Sequence, residues 1–292
     1  MGQLQLSPVV AGIMRLPQWK FSPQNIASWI LSCLDLGIDC FDSADIYGGY
    51  TAEGLFGQGV RLLSASQRQR LKIISKCGIQ LVSDQRPLHT LKSYNTESSH
   101  IRKSVHQSLT DLGVDSLYAL LIHRPDHLSE PKQIANTIQD LKNEGLIQHF
   151  GLSNYSAKSV ELMHSLTSIA THQIEFSPLH LDPLYDDSLS TLMHHNITPM
   201  IWSPIAGGNS IDPNHPVTAR WLPEFEKIAQ NLNLTPLGLT ISWLHRHPSR
   251  PVAVLGTRGL DRLKQALDGN DVKLDFEVWY QLLRLFTNSE VP

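Results

Sequence analysis

The sequence predicts a (β/α)8 barrel. Short runs rich in Val, Ile and Leu recur eight times along the 292 residues, and between them apolar residues fall at three- and four-residue spacing, the helical pattern. Eight strands is the number that closes a parallel barrel. No Ser/Gly-rich linker or charge run divides the chain, so residues 1–292 read as a single domain, of a size that buries enough surface to need no disulfide or structural metal.

The elements follow in order. Val9 to Met14 is the first strand, then a helix from Pro23 to Leu36 that stops at Gly37, a residue suited to a left-handed cap. Asp39 to Ala44 is the second strand, Leu71 to Cys77 the third and Leu117 to His123 the fourth. The fifth is Ile147 to Ser153, the sixth Thr171 to Glu175, the seventh Pro199 to Ser203 and the eighth Val252 to Leu255. Helices over Glu97 to Leu112, Pro131 to Asn143 and Leu260 to Leu267 are followed by Gly113, Gly145 and Gly269, each placed where a helix would stop. Phe276 to Phe286, with Trp279, Tyr280, Leu282, Leu283 and Leu285, reads as an extra C-terminal helix packing on the barrel.

An open doubly wound sheet would also alternate strands and helices, but it carries G-x-G-x-x-G after its first strand. Val9 to Leu16 holds only Gly12, while Gly54, Gly57 and Gly59 have another spacing and sit in a helical pattern. Two longer irregular stretches, Gln80 to Thr96 and Ala206 to Pro216, follow strands three and seven, on the face where barrel enzymes keep their chemistry.

Composition excludes several classes. Twenty-four basic and 27 acidic residues, net -3, are interspersed without a basic patch, so nucleic acid is not an expected partner. No window reaches the roughly 18 uninterrupted apolar residues of a membrane span, and residues 1–13 lack a signal-peptide pattern, so a cytoplasmic protein is expected. Cys33, Cys40 and Cys77 lie in apolar stretches and read as reduced core residues. The fourteen histidines form no H-E-x-x-H or comparable set, so no metal is expected.

Four polar residues fall at the ends of predicted strands: Asp42, Tyr47 just beyond it, Lys76 and His123. A charge ending a buried strand is costly unless paired, so Asp42 and Lys76 are candidates to pair. A neighbouring ammonium favours the phenolate, which would lower the pKa of Tyr47 towards that of a general acid. His123, ending Leu120-Leu121-Ile122, could be a satisfied core residue or part of the same set.

These residues lie in segments that resemble the aldo-keto reductase family. They are Phe41-Asp42-Ser43-Ala44-Asp45-Ile46-Tyr47-Gly48-Gly49, Ile74-Ser75-Lys76-Cys77, Leu121-Ile122-His123-Arg124-Pro125-Asp126, Gly151-Leu152-Ser153-Asn154-Tyr155 and Gln173-Ile174-Glu175. They occur in the family's order over nearly the whole chain, closest to its bacterial YdhF-like oxidoreductase branch. The resemblance implies that Tyr47 donates a proton to a carbonyl oxygen, Lys76 lowers its pKa, Asp42 holds Lys76, and His123 orients or polarises the carbonyl. It further implies a nicotinamide cofactor whose carboxamide meets Ser153, Asn154 and Gln173, with Trp202 stacked on the ring. Ser203, Pro204, Ile205, Gly207 and Gly208 would approach the pyrophosphate. Thr257, Arg258 and Arg262 would grip the adenosine phosphate, and the two arginines favour NADP(H) over NAD.

The implied activity is reduction of a small carbonyl compound to an alcohol by a monomeric enzyme. Two other readings stay open: a nicotinamide-nucleotide sensor with little turnover, and an aldolase with Lys76 as Schiff-base amine. The chain departs from the family pattern at Gln265-Ala266, where many relatives carry Glu-Asn, and in an N-terminal hairpin shortened to residues 2–7. Trp19, Tyr50 and Trp202 are candidate walls of an aromatic substrate pocket.

Overall fold

A computed structural model of the protein describes residues 4–290. Eight parallel strands close into a barrel: β1 Val9–Gly12, β2 Cys40–Asp42, β3 Lys72–Cys77, β4 Leu117–Ile122, β5 Ile147–Ser153, β6 Thr171–Glu175, β7 Thr198–Trp202 and β8 Val252–Leu255. They neighbour one another in chain order, and β8 pairs with β1 in the register Val9 to Ala253 and Val10 to Val254. The expected strands are all present, with ends moved by one or two residues. The second shortens most, to Cys40–Asp42, and the first stops at Gly12, before Leu16–Trp19 turns into a short helix.

Alternate residues of a strand face opposite sides. Val10, Cys40, Ile74, Ala119, Leu121, Met200, Val252 and Val254 therefore fill the barrel interior. Their neighbours, such as Phe41, Ile73, Leu120 and Ile201, pack outward under the helices. Two residues further along the same inward rows stand Asp42, Lys76, His123 and Trp202, so strand parity alone aims these four side chains at the C-terminal mouth.

The surrounding helices are α1 Pro23–Asp35, α2 Ala52–Val60, α3 Ser98–Leu112, α4 Pro131–Asn143, α5 Ala157–Leu166, α6 Ser188–His194, α7 Leu222–Asn231, α8 Pro236–His245, α9 Leu260–Asn270 and α10 Phe276–Thr287. Gly37, Gly113 and Gly145 follow their helices with positive φ, as caps should. Gly269 does not: α9 runs on to Asn270, and this glycine is buried inside it. A Cβ there would collide with the backbone of Gly238 on α8, so its smallness serves a close helix crossing rather than a helix stop. The extra C-terminal helix is present as α10; Trp279 lies parallel to Trp243 at 5.4 Å and 11°. The two indoles also exchange Nε1–H bonds with each other's carbonyls, at 3.2 and 3.0 Å.

The stretch 80–96 is less irregular than the sequence suggests. Ile79–Gln80 and Ser93–Tyr94 pair as a small antiparallel hairpin, and the Tyr50 hydroxyl accepts a bond from Leu81 N at 2.8 Å. At the barrel bottom, the described part of the N-terminal segment, from Leu4, forms no hairpin. Its Gln5 N–H and C=O bond the Tyr118 hydroxyl at 3.0 and 3.1 Å, and Leu6 packs on the interior cluster. All three cysteines are buried and free, and none of the helices among the described residues is long and apolar enough to cross a membrane.

Candidate active site

The strand ends converge on a cleft of about 570 Å³ at the C-terminal mouth of the barrel. At its floor Lys76, wholly buried, donates to Asp42 Oδ2 at 2.8 Å, to the Ser43 carbonyl at 2.7 Å and to the Tyr47 hydroxyl at 3.0 Å. The other carboxylate oxygen of Asp42 accepts from Gln173 Nε2 at 2.8 Å. The ring of His123 stands edge-on to that of Tyr47, with centroids 5.8 Å apart. Five side chains from four separate segments thus meet at one point.

Local backbone geometry holds Tyr47 there. Beyond β2 the chain stays stitched to β3, with Ser43 N bonding Ile74 O at 2.8 Å and Asp45 N bonding Lys76 O at 3.0 Å. It then turns into α2, the Ala44 carbonyl accepting from Tyr47 N at 3.1 Å. Gly48 follows at φ 60°, and a Cβ there would run into the Pro17 ring, so glycine lets the turn lie against the short helix after β1.

Burial acts against the charge of each group, and the neighbours decide the outcome. Burial pulls the Lys76 ammonium down, but Asp42 and Tyr47 together carry it above its ordinary value. The same burial pushes the Tyr47 phenol up; Lys76 opposes this and Asp42 adds to it, and the net direction is upward. The expectation of a lowered phenol pKa is therefore corrected: without a developing charge to stabilise, desolvation outweighs the ammonium and the phenol stays protonated. His123 is driven well below its usual value by burial and then by Lys76, Arg124 and Lys92, so its imidazole is neutral. Lys76, charged and donating to three acceptors, has no free amine for a Schiff base.

Of the remaining sequence-derived candidates, Ser153, Asn154, Gln173, Trp202, Ser203, Pro204, Ile205, Gly207, Thr257 and Arg262 line the cleft. Asn154 ties two of them to the floor: its Nδ2 donates to Ser153 Oγ at 2.7 Å and to the His123 carbonyl at 3.3 Å, and its Oδ1 accepts from Trp202 Nε1 at 3.0 Å. Arg258 is exposed outside the lining, and Gly208 also falls outside it. Trp19 is not a pocket wall. It is buried against Trp29, centroids 5.1 Å apart, because the short helix after β1 turns it into the core. Tyr50 likewise serves the 80–96 loop, under the Arg86 guanidinium at 4.6 Å.

Sequence reasoning missed Arg15, Lys92 and Arg124, which also line the cleft. Arg124 immediately follows His123, Arg15 lies just past β1, and Lys92 belongs to the long stretch after β3, so strand-end position was the usable signal for the first two.

Residues 8–285 match the model of the Aldo/keto reductase family. The chain belongs to the aldo-keto reductase family. Over 99% of its length it is 36% identical to the oxidoreductase YcsN of Bacillus subtilis and 34% identical to oxidoreductase YdhF of Escherichia coli, covering 97% and 96% of those proteins. It is also 34% identical to a 6-dehydroglucose reductase of Agrobacterium fabrum, over 99% of this chain and 97% of that one. In three dimensions it resembles a glycerol dehydrogenase of Gluconobacter oxydans at 20% identity, with a TM-score of 0.85 over 98% of this chain and 94% of the other, which supports the barrel fold. As an aldo-keto reductase the chain is an oxidoreductase, and the likeness to YdhF agrees with the branch expected from its motifs.

Proposed function

We propose that this aldo-keto reductase catalyses reversible, NADPH-dependent reduction of an aldehyde or ketone to an alcohol. The observation that carries the reading is the hydrogen-bonded chain Asp42–Lys76–Tyr47, with His123 against the phenol, at the floor of the cleft. The overall reaction is carbonyl + NADPH + H⁺ → alcohol + NADP⁺; the cofactor, when bound, supplies the hydride.

The residues present fit such a cofactor. Ser153 and Gln173, both buried at the cleft wall, offer a hydroxyl and an amide oxygen suited to a primary amide, with Asn154 beside them. Trp202 offers an aromatic face. Ser203, Ala206, Gly207 and Gly208 all have left-handed φ, so the chain turns tightly after β7, and the two glycines leave room for a pyrophosphate to approach its backbone. At the far end, α9 begins without a side-chain cap, and Thr257 and Arg262 stand in the cleft beside it, as a phosphate site requires. Arg262 is the residue that favours NADPH over NADH.

In this reading Tyr47 gives its proton to the carbonyl oxygen, and Lys76 stabilises the phenolate left behind. Asp42 keeps Lys76 charged and aimed. Neutral His123 positions the carbonyl without competing for its proton. The neutral phenol of the unliganded fold suits a donor. The reading also takes the enzyme as a cytoplasmic monomer, which light scattering and cell fractionation test.

Tyr47→Phe tests the core of the proposal. Turnover of simple aldehydes with NADPH should fall by about 10²–10⁴-fold while NADPH still binds by fluorescence titration. Turnover within a few-fold of the native enzyme would remove Tyr47 as donor. NADPH binding by the native protein without turnover of any carbonyl would favour a nucleotide sensor.

A further inference from the structure

The cleft carries more positive charge than the nucleotide end of the proposed reading uses. Its wall holds four cationic side chains, Arg15, Lys92, Arg124 and Arg262, against one carboxylate, Asp42. Both oxygens of Asp42 are already committed, to Lys76 and Gln173. Among the described residues none of the four cations has a salt-bridge partner.

Position separates them into two pairs. Arg262 stands in the first turn of α9, and Arg15 lies beside the loop after β7, its Nη2 3.7 Å from where a Cβ on Gly207 would be. That is the end assigned above to the nucleotide phosphates. Lys92 and Arg124 belong to the reacting end. Arg124 follows His123 directly, and its guanidinium lies 5.8 Å from the centroid of the Trp202 ring. Lys92 comes in on the 80–96 segment, one residue before the Ser93–Tyr94 arm of the hairpin. Both are close enough to His123 to help keep its imidazole neutral.

A guanidinium and an ammonium left unpaired in one concave wall focus a positive potential where a ligand must sit. A carboxylate or phosphate group satisfies both, with the planar fork of Arg124 binding it bidentately and Lys92 acting as a mobile point charge. We propose that Lys92 and Arg124 form an anion-recognition pair that selects carbonyl substrates bearing a carboxylate or phosphate group. This rests on the carbonyl-reductase reading and narrows its substrate class. The anionic group takes no part in the chemistry; hydride and proton transfer proceed at the carbonyl as before.

Two matched pairs test the proposal with the full-length enzyme and NADPH: succinic semialdehyde against butanal, and glyceraldehyde 3-phosphate against glyceraldehyde. In at least one pair the charged member should have kcat/KM tenfold or more above its neutral partner at low salt, and the pair that shows it identifies carboxylate or phosphate as the group. That ratio should fall towards one in 0.5 M KCl, in Lys92→Met, in Arg124→Met and in the double variant. Ratios near one in the native enzyme for both pairs, or a preference surviving in the double variant, would overturn the proposal and leave the reductase reading standing. A second readout does not depend on turnover: succinate and glycerol 3-phosphate should perturb tryptophan fluorescence of the native protein and not of the double variant. Should none of the four compounds be reduced, the anion site would still stand or fall on that fluorescence difference, separately from the reductase reading.

Discussion

Asp42 and Lys76 form a buried ion pair that is also an electrostatic device, and the two roles have separate consequences. Lys76 is wholly buried, so Asp42→Ala leaves an ammonium without its counter-charge in the barrel interior. A loss of about 3–5 kcal/mol is expected, read as a drop in the urea midpoint. A change below about 1 kcal/mol would mean that the Ser43 carbonyl and Tyr47 hydroxyl suffice to hold the charge. The same groups set the pH profile. Tyr47 lies above its ordinary value near 10 and His123 well below its ordinary value near 6.5, so neither titrates between. If Tyr47 is the donor, as proposed, carbonyl reduction should be flat in kcat/KM from about pH 7 to pH 9 and decline only at more alkaline pH, where the phenol loses its proton. Alcohol oxidation, which needs the phenolate, should rise over that same alkaline range. A reduction profile that falls through pH 7 would assign the proton to another group.

At the scale of elements, the crossing of α8 and α9 shows how a glycine can be misread. Gly269 resembles a helix stop in sequence, yet it lies where the two helix backbones touch, against Gly238. Gly269→Ala should therefore destabilise the protein by about 1–3 kcal/mol through overpacking, although alanine is the better helix former. Chemical denaturation decides the sign: a helix-propensity effect would stabilise. This crossing stands close to the mouth of the cleft, since α9 begins with the Arg262 turn and Leu237 of α8 lines the wall. Loss of nucleotide affinity is expected to accompany the loss of stability.

Over the whole molecule, closure of the barrel brings residues 131 apart in sequence, Asp42 and Gln173, into one hydrogen bond. The outer layer is closed by α10, which buries Leu282, Leu283 and Phe286 and sets Phe286 against Trp221, Phe225 and Trp243. Ending the chain at Asp275 exposes this aromatic cluster and breaks the reciprocal Trp243–Trp279 bonds. Such a truncation should unfold at markedly lower temperature or fail to stay soluble, because each large apolar side chain contributes about 1.5–3 kcal/mol by burial. Thermal unfolding measured by circular dichroism checks this; an unchanged midpoint would make the helix an ornament on an independently stable barrel.

Strand and helix periodicity, the count of eight and the polar residues ending inward-facing rows were all legible in the sequence, because period and parity are local properties of the chain. The resemblance carried by Phe41 to Gly49 and the later segments supplied the expected roles of Tyr47, Lys76, Asp42 and His123. What those motifs could not supply was the balance of forces at the site. Whether Tyr47 lies above or below its ordinary pKa depends on how much water the closed barrel excludes set against one ammonium at 3.0 Å. Only the fold could turn Trp19 into the core, bring Gly269 against Gly238, and lead Lys92 from a long loop to the wall that holds Arg124. Each depends on how separate elements come together in the folded barrel. Periodicity and motif thus carry the barrel and the side chains at its mouth, while their neighbours come from the folded chain, since burial and charge are summed over everything nearby, however distant along the sequence.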